Sequence, residues 1–213
     1  MPGGGDDAYR VLITELAGLV RLAHGALLGA TAVLTDPTGD TGGIPAAEKA
    51  LAELHDRIEE DAAGTFGGRA EVVVGVHVGT GAEALGQLAQ RLLEVAWARQ
   101  ERAPFDERLR TPLGGIADTA LDVVARAADA LESGTPEDVA DVLAGLHEAG
   151  QRQRLLYELL GGDVSLDPAD AADLVLLSCC YQQCAEHAGS IARHAVLFAR
   201  RVSREAGEGG RLQ

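Results

Sequence analysis

The segment LLSCCYQQCAEHAGSIARHA, residues 176–195, places three cysteines, two histidines and one glutamate within a few helical turns. Thiolate, imidazole and carboxylate are transition-metal ligands, and a thiol beside an imidazole is the usual pairing of a nucleophile with its base. Direction decides whether they can act together. At 100° per residue, Cys180, Cys184 and His187 share an arc of about 60° that also contains Ile191. Glu186 and Gln182 point roughly the opposite way, so the carboxylate cannot complete a site with the thiols inside one helix. The cysteine stripe continues the apolar line of Leu176, Leu177, Ile191, Ala195 and Phe198. Cys180 and Cys184 are therefore expected to be buried as small hydrophobes, with Cys179 half-buried beside them. The alternative is a soft-metal or thiol site that recruits His187. Three cysteines within six residues cannot build a disulfide framework, and reduced thiols are expected.

The elements that carry these residues are helical. With 213 residues and 46% hydrophobic side chains the chain can bury a substantial core, and its wealth of Ala, Leu, Glu and Arg favours helix over sheet. Punctuation divides it into six helices. The first runs from about Ala8 to Leu34, with Leu12, Leu16, Leu19, Val20, Ala23, Leu27, Ala30 and Leu34 on one stripe. The second spans about Pro45 to Ala63, and the third reaches about Arg102. The fourth covers about Leu113 to Glu132, following APFDERLRTP as a loop. Thr135 as N-cap and Pro136 as first residue open a fifth at 136–160, while Asp167 and Pro168 open a sixth to about Arg204. The β-branched stretch AEVVVGVHVGTG, 70–81, reads as a strand by propensity alone, but it has no strand to pair with and is assigned to the third helix. Its glycines lack the Gly-Lys-Ser/Thr ending of a phosphate loop. His24 and His194 stand singly in helical segments.

The sequence also repeats itself. A shift of 92 lays LAELHD (51–56) on LAGLHE (143–148) and LAQRLLEVAWA (88–98) on CYQQCAEHAGS (180–190), pairing His55 with His147, Gln90 with Gln182, and Glu94 with Glu186. A shift of 97 aligns 16–34 with 113–131. The fold expected is all-α, two tandem three-helix repeats at 9–102 and 103–204 forming a six-helix bundle, with unstructured ends at 1–8 and 205–213.

Such a two-repeat acidic helical chain, ending in LVLLSCCYQQCAEHAGSIARHAVLF (174–198), resembles the PhoU family of phosphate-uptake regulators. Glu186, His187 and Ala188 stand at that family's Asp-His-Ala. The resemblance implies a non-catalytic regulator that contacts the ATPase of a phosphate ABC transporter and a sensor histidine kinase, with a homodimer possible. It also implies divalent metal or iron held by carboxylates of the second and third helices of each repeat. Here the corresponding positions are altered. The first repeat offers His55, Asp56, Glu59 and Glu94, and the second offers His147, Glu148 and Glu186, while Gln90 and Gln182 replace family carboxylates and Gln151 stands where another belongs. Glutamine is a neutral, weak ligand, so each repeat loses anionic donors. These departures leave two further readings: a diverged scaffold of this type serving another transporter or kinase, or a metal-binding helical bundle.

Charge and composition exclude other classes. The net charge of −15 divides evenly, −7 in residues 1–102 and −8 in 103–213, and repels phosphate backbones, so no nucleic-acid partner is expected. The opening MPGGGDDAYR is acidic where a secretory leader is basic, and no apolar stretch is expected to span a bilayer, which together predict a cytoplasmic protein. No nucleophile with an adjacent base can be assembled by spacing, so no enzyme activity is expected.

Overall fold

The structure is a computed structural model. It describes residues 4–35, 48–53, 69–99, 101–162 and 166–209, with 45 and 56 as isolated positions. Among these, every regular element is a helix: α1 (Gly4–Thr35), α2 (Arg69–Arg99), α3 (Glu107–Ser133), α4 (Pro136–Leu160) and α5 (Pro168–Gly209), with 48–53 also helical. Most of the second helix expected from the sequence lies outside the described residues. Helical backbone extends into both terminal stretches expected to be unstructured, since α1 begins at Gly4 and α5 continues to Gly209.

Local chemistry explains most boundaries. Thr135 accepts a hydrogen bond from the Asp138 backbone at 3.3 Å, Pro136 occupies the first turn, and Glu137 and Asp138 face the positive end of the α4 dipole. Gly134 closes α3 at φ 61°, a left-handed conformation that glycine adopts without penalty, and its N–H reaches Ala130 O at 3.0 Å. Asp167 Oδ1 accepts from Ala169 N at 3.0 Å and opens α5.

The start of α3 departs from expectation. It begins at Glu107 rather than near Leu113, with Asp106 as N-cap accepting from Arg108 N at 2.8 Å. Pro112 therefore sits inside the second turn, where it forgoes one backbone hydrogen bond. The cap and the burial of Phe105 and Leu109 offset that loss.

Packing forms a ring. α1 packs on α2 and α3, α5 packs on α2 and α3, and α4 lies outside the ring against α3 and α5. α2 and α5 run antiparallel, because Gly81 meets Ile191 toward the middle of both helices and Arg99, at the end of α2, meets Asp170 and Asp173 at the start of α5. The predicted stripe of α1 is the core: Leu16, Leu19, Val20, Ala23, Leu27 and Ala30 are buried. Residues 70–81 are helical as assigned, with Val74 and Val78 buried.

Arg10–Leu34 of α1 is long and apolar enough, by length and composition, to cross a bilayer. In the fold its apolar stripe faces α2 and α3.

Candidate functional site: the α4–α5 face

Of the residues that resemblance assigns to metal, those described are exposed. His55 and Glu59 lie outside the described residues, whereas Asp56, Glu94 and Gln90 are described and exposed. On the second half the neighbours are known. Gln182 of α5 crosses α4 at Gly150, where an added Cβ would stand 3.7 Å from its Nε2. That same Nε2 donates to Glu186 Oε1 at 3.3 Å, and Gln182 Oε1 is buried without a hydrogen-bond partner.

On α4, Gln151 Nε2 stands 2.9 Å from His147 Nε2. An amide nitrogen can only donate, so the imidazole Nε2 lone pair accepts and the ring proton sits on Nδ1. Glu148 instead turns to Arg152, whose Nε and Nη2 both reach Oε1, at 2.9 and 2.7 Å. His147, Glu148 and Glu186 thus satisfy partners on their own helices. Among the described residues, no three His, Cys, Asp or Glu side chains converge as a metal requires. Gln151 and Gln182 each take up a lone pair, of His147 and of Glu186, that a cation would need.

The cysteines follow the angular argument. Cys180 and Cys184 are buried, and burial pushes both thiols up from their ordinary value, Cys184 strongly. Protonated and enclosed, they are inert. Cys179 is half-buried, with its Sγ 3.2 Å from Tyr157 Oη and 3.9 Å from Gln153 Nε2. Leu176, expected on the buried line, is 44% exposed, because it stands at the edge of the buried arc and Leu177 takes the inward position. Phe198 lies outside the residues whose side chains are described.

Several contacts have no counterpart in the sequence reading. Arg99, at the end of α2, and Arg102, just beyond it, bridge Asp170 and Asp173 in the first turns of α5. Arg21 of α1 holds Asp129 at 3.1 Å and Glu132 at 2.8 Å on α3, and its guanidinium keeps the Glu132 carboxyl below its ordinary value. The His77 and His194 rings stack with centroids 4.2 Å apart. A pair of acids three residues apart at a helix start, facing two arginines three apart at a helix end, was a usable signal for the first. Nothing local signals the others.

What this face offers is polar recognition: hydrogen-bonding amides, an imidazole and carboxylates on two adjacent rigid helices. Comparison with models of known protein families gives no match, and neither does a search of curated proteins.

Proposed function

We propose that the chain is a non-catalytic helical regulator built as two tandem three-helix repeats of the PhoU type. It acts through helix-face contacts with the ATPase of a phosphate ABC transporter and with a sensor histidine kinase, on the cytoplasmic side. Support for the architecture comes from the pairing pattern. If α1 is equivalent to α3 and α2 to α5, as the sequence shifts of 97 and 92 imply, then α1–α2 packing corresponds to α3–α5 packing, and α1–α3 and α2–α5 each correspond to themselves. The helical stretch 48–53 extends the pattern. An added Cβ at Gly25 of α1 would lie 3.8 Å from Ala50, just as one at Gly145 of α4 would press on Val123 of α3. The choice of phosphate transport rests on the resemblance of the last helix.

A regulator of this kind needs only differential affinity for two states of its partner, which a rigid face supplies without chemistry. A second reading is favoured by one observation. His147–Gln151 and Gln182–Glu186 are paired with each other at positions where the family keeps metal-binding carboxylates. A diverged scaffold serving another transporter or kinase accounts for that pairing.

Affinity capture of the tagged chain in the organism that encodes it distinguishes the two, combined with deletion and a reporter of the phosphate-starvation response. Recovery of the phosphate transporter ATPase, with derepression at high phosphate on deletion, is the expected result. Recovery of a different ATPase or kinase moves the assignment to the second reading, and recovery of neither sinks both.

A further inference from the structure

The contact between α2 and α5 joins the first half of the chain to the second, and it is held differently at two places along its length. At one end stand four charges of opposite sign, Arg99 and Arg102 against Asp170 and Asp173. About six turns back along α2 stand two imidazoles face to face, His77 and His194, with ring planes within 20° of parallel. One turn inward the helices are in tight contact, since an added Cβ at Gly81 would come within 2.8 Å of Ile191 Cγ1. His194 Nδ1 donates to Ser190 O at 2.8 Å, which fixes the ring and leaves Nε2 as the atom that takes a further proton. His77 is exposed, so protons reach the pair from solvent.

We infer that His77 and His194 form a proton-operated latch on the seam between the two halves, closed while at least one imidazole is neutral and released when both carry a proton. Histidine is the side chain whose charge changes in mildly acidic solution. Two imidazolium rings 4.2 Å apart repel, and stacking holds their charges together.

No counter-ion relieves the repulsion: among the described residues neither ring pairs with a carboxylate. On α5 itself Arg193 is cationic and turned to Gly189 O. On α2 the nearest described charge, Glu83, accepts from Gln87. Asp129 and Glu132 of α3 are held by Arg21 of α1, and Asp138 of α4 is held by Thr135. Releasing the pair loosens the seam around His77 and His194 while the arginine–aspartate end remains in place, so acid shifts the angle between α2 and α5 rather than unfolding them. The latch is independent of which partner the scaffold serves.

Amide hydrogen exchange of the full chain tests this, comparing the wild type with H77Q and H194Q. Glutamine keeps a planar polar group and cannot gain charge. Between about pH 7.5 and about pH 5, protection of residues 74–78 and 191–195 should fall about tenfold more in the wild type than in either variant, with helical content unchanged. Two variants are used so that one poorly folded protein leaves the other to decide. An equal pH response in the wild type and the folded variants overturns the latch, as does a loss of protection that spreads evenly to the Arg99–Asp173 end.

Discussion

Tyr181 Oη donates to Thr31 Oγ1 at 3.0 Å, a hydrogen bond between α5 and α1, which lie diagonally across the ring and do not pack on each other directly. The phenol ring fills the space enclosed by four helices, and its burial pushes its ionisation well above the ordinary range. Filling the ring and satisfying its one polar atom are separable. Tyr181→Phe should lower stability by about 1 kcal/mol, the net value of a buried hydrogen bond. Tyr181→Ala should lower it by about 3–5 kcal/mol by leaving a cavity. Urea denaturation of both variants checks this, and near-equal losses would mean that the hydroxyl, not the ring, dominates.

A second prediction concerns Arg99. Its side chain is 8% exposed, with Nη1 2.8 Å from Asp170 and 2.7 Å from Asp173, Nη2 donating to Ala103 O, and the guanidinium 3.5 Å from the Phe105 ring centroid. Removing it leaves both carboxylates to Arg102 alone, so Arg99→Ala should cost about 2 kcal/mol through the lost charge-assisted hydrogen bonds. Arg99→Lys keeps the charge but loses the fork and the ring contact, and should cost about half as much. If lysine substitutes without loss in a thermal melt, geometry contributes nothing and charge alone matters.

These contacts show where sequence reading reaches and where it stops. The α4 start at Thr135 and Pro136 was legible because a cap is encoded within four residues. The α3 start was not, since Pro104 and Pro112 read as breaks and the Asp106 cap lies between them. Inward and outward directions on α5 followed from angle, so the burial of Cys180 and Cys184 was foreseeable. Which residue of another helix each one meets was not. Thr31 and Tyr181 stand 150 positions apart, and no local pattern records the rotation that brings α1 and α5 to face one another. Angle also set Gln182 and Glu186 apart from the cysteine stripe on α5, but the hydrogen bond between His147 and Gln151 needs side-chain positions to be seen.

Helical glycines give opposite predictions according to their surroundings. A Cβ at Gly145 would stand 2.5 Å from Val123 Cγ2, inside a buried contact between α3 and α4, whereas one at Gly114 meets nothing within 4 Å. Gly114→Ala should stabilise by about 0.5–1 kcal/mol through helix propensity. Gly145→Ala should destabilise by about 1–2 kcal/mol, because overpacking outweighs the same gain. Val123→Ala added to Gly145→Ala should then cost less than Val123→Ala alone. Chemical denaturation of the set decides it, and additive losses would show that the two residues do not touch.

The three cysteines should separate by reactivity. Cys179 is half-buried at the α4–α5 junction, while Cys180 and Cys184 are enclosed with their thiols held protonated by burial. A chromogenic disulfide reagent should titrate one thiol of the native protein quickly and the other two only at the rate of unfolding. Cys179→Ser should abolish the fast phase without changing the slow one. A fast phase that survives this substitution would show that the stripe faces solvent.

The last prediction follows from His24 on α1. Burial lowers its affinity for a proton below that of an ordinary imidazole. Well above the ordinary histidine range the ring is neutral in both folded and unfolded chains, so it contributes no pH dependence. As pH falls through that range the unfolded chain takes up the proton first, and stability declines until the folded protein is protonated as well. The stability difference between the wild type and His24→Gln should therefore be constant above about pH 7 and move against the wild type below about pH 6.5. Measuring urea midpoints across that interval in the H77Q background removes the contribution of the stacked pair. A difference that stays constant to about pH 5 would place His24 in contact with water and assign the acid sensitivity of α1 to its carboxylate neighbours instead.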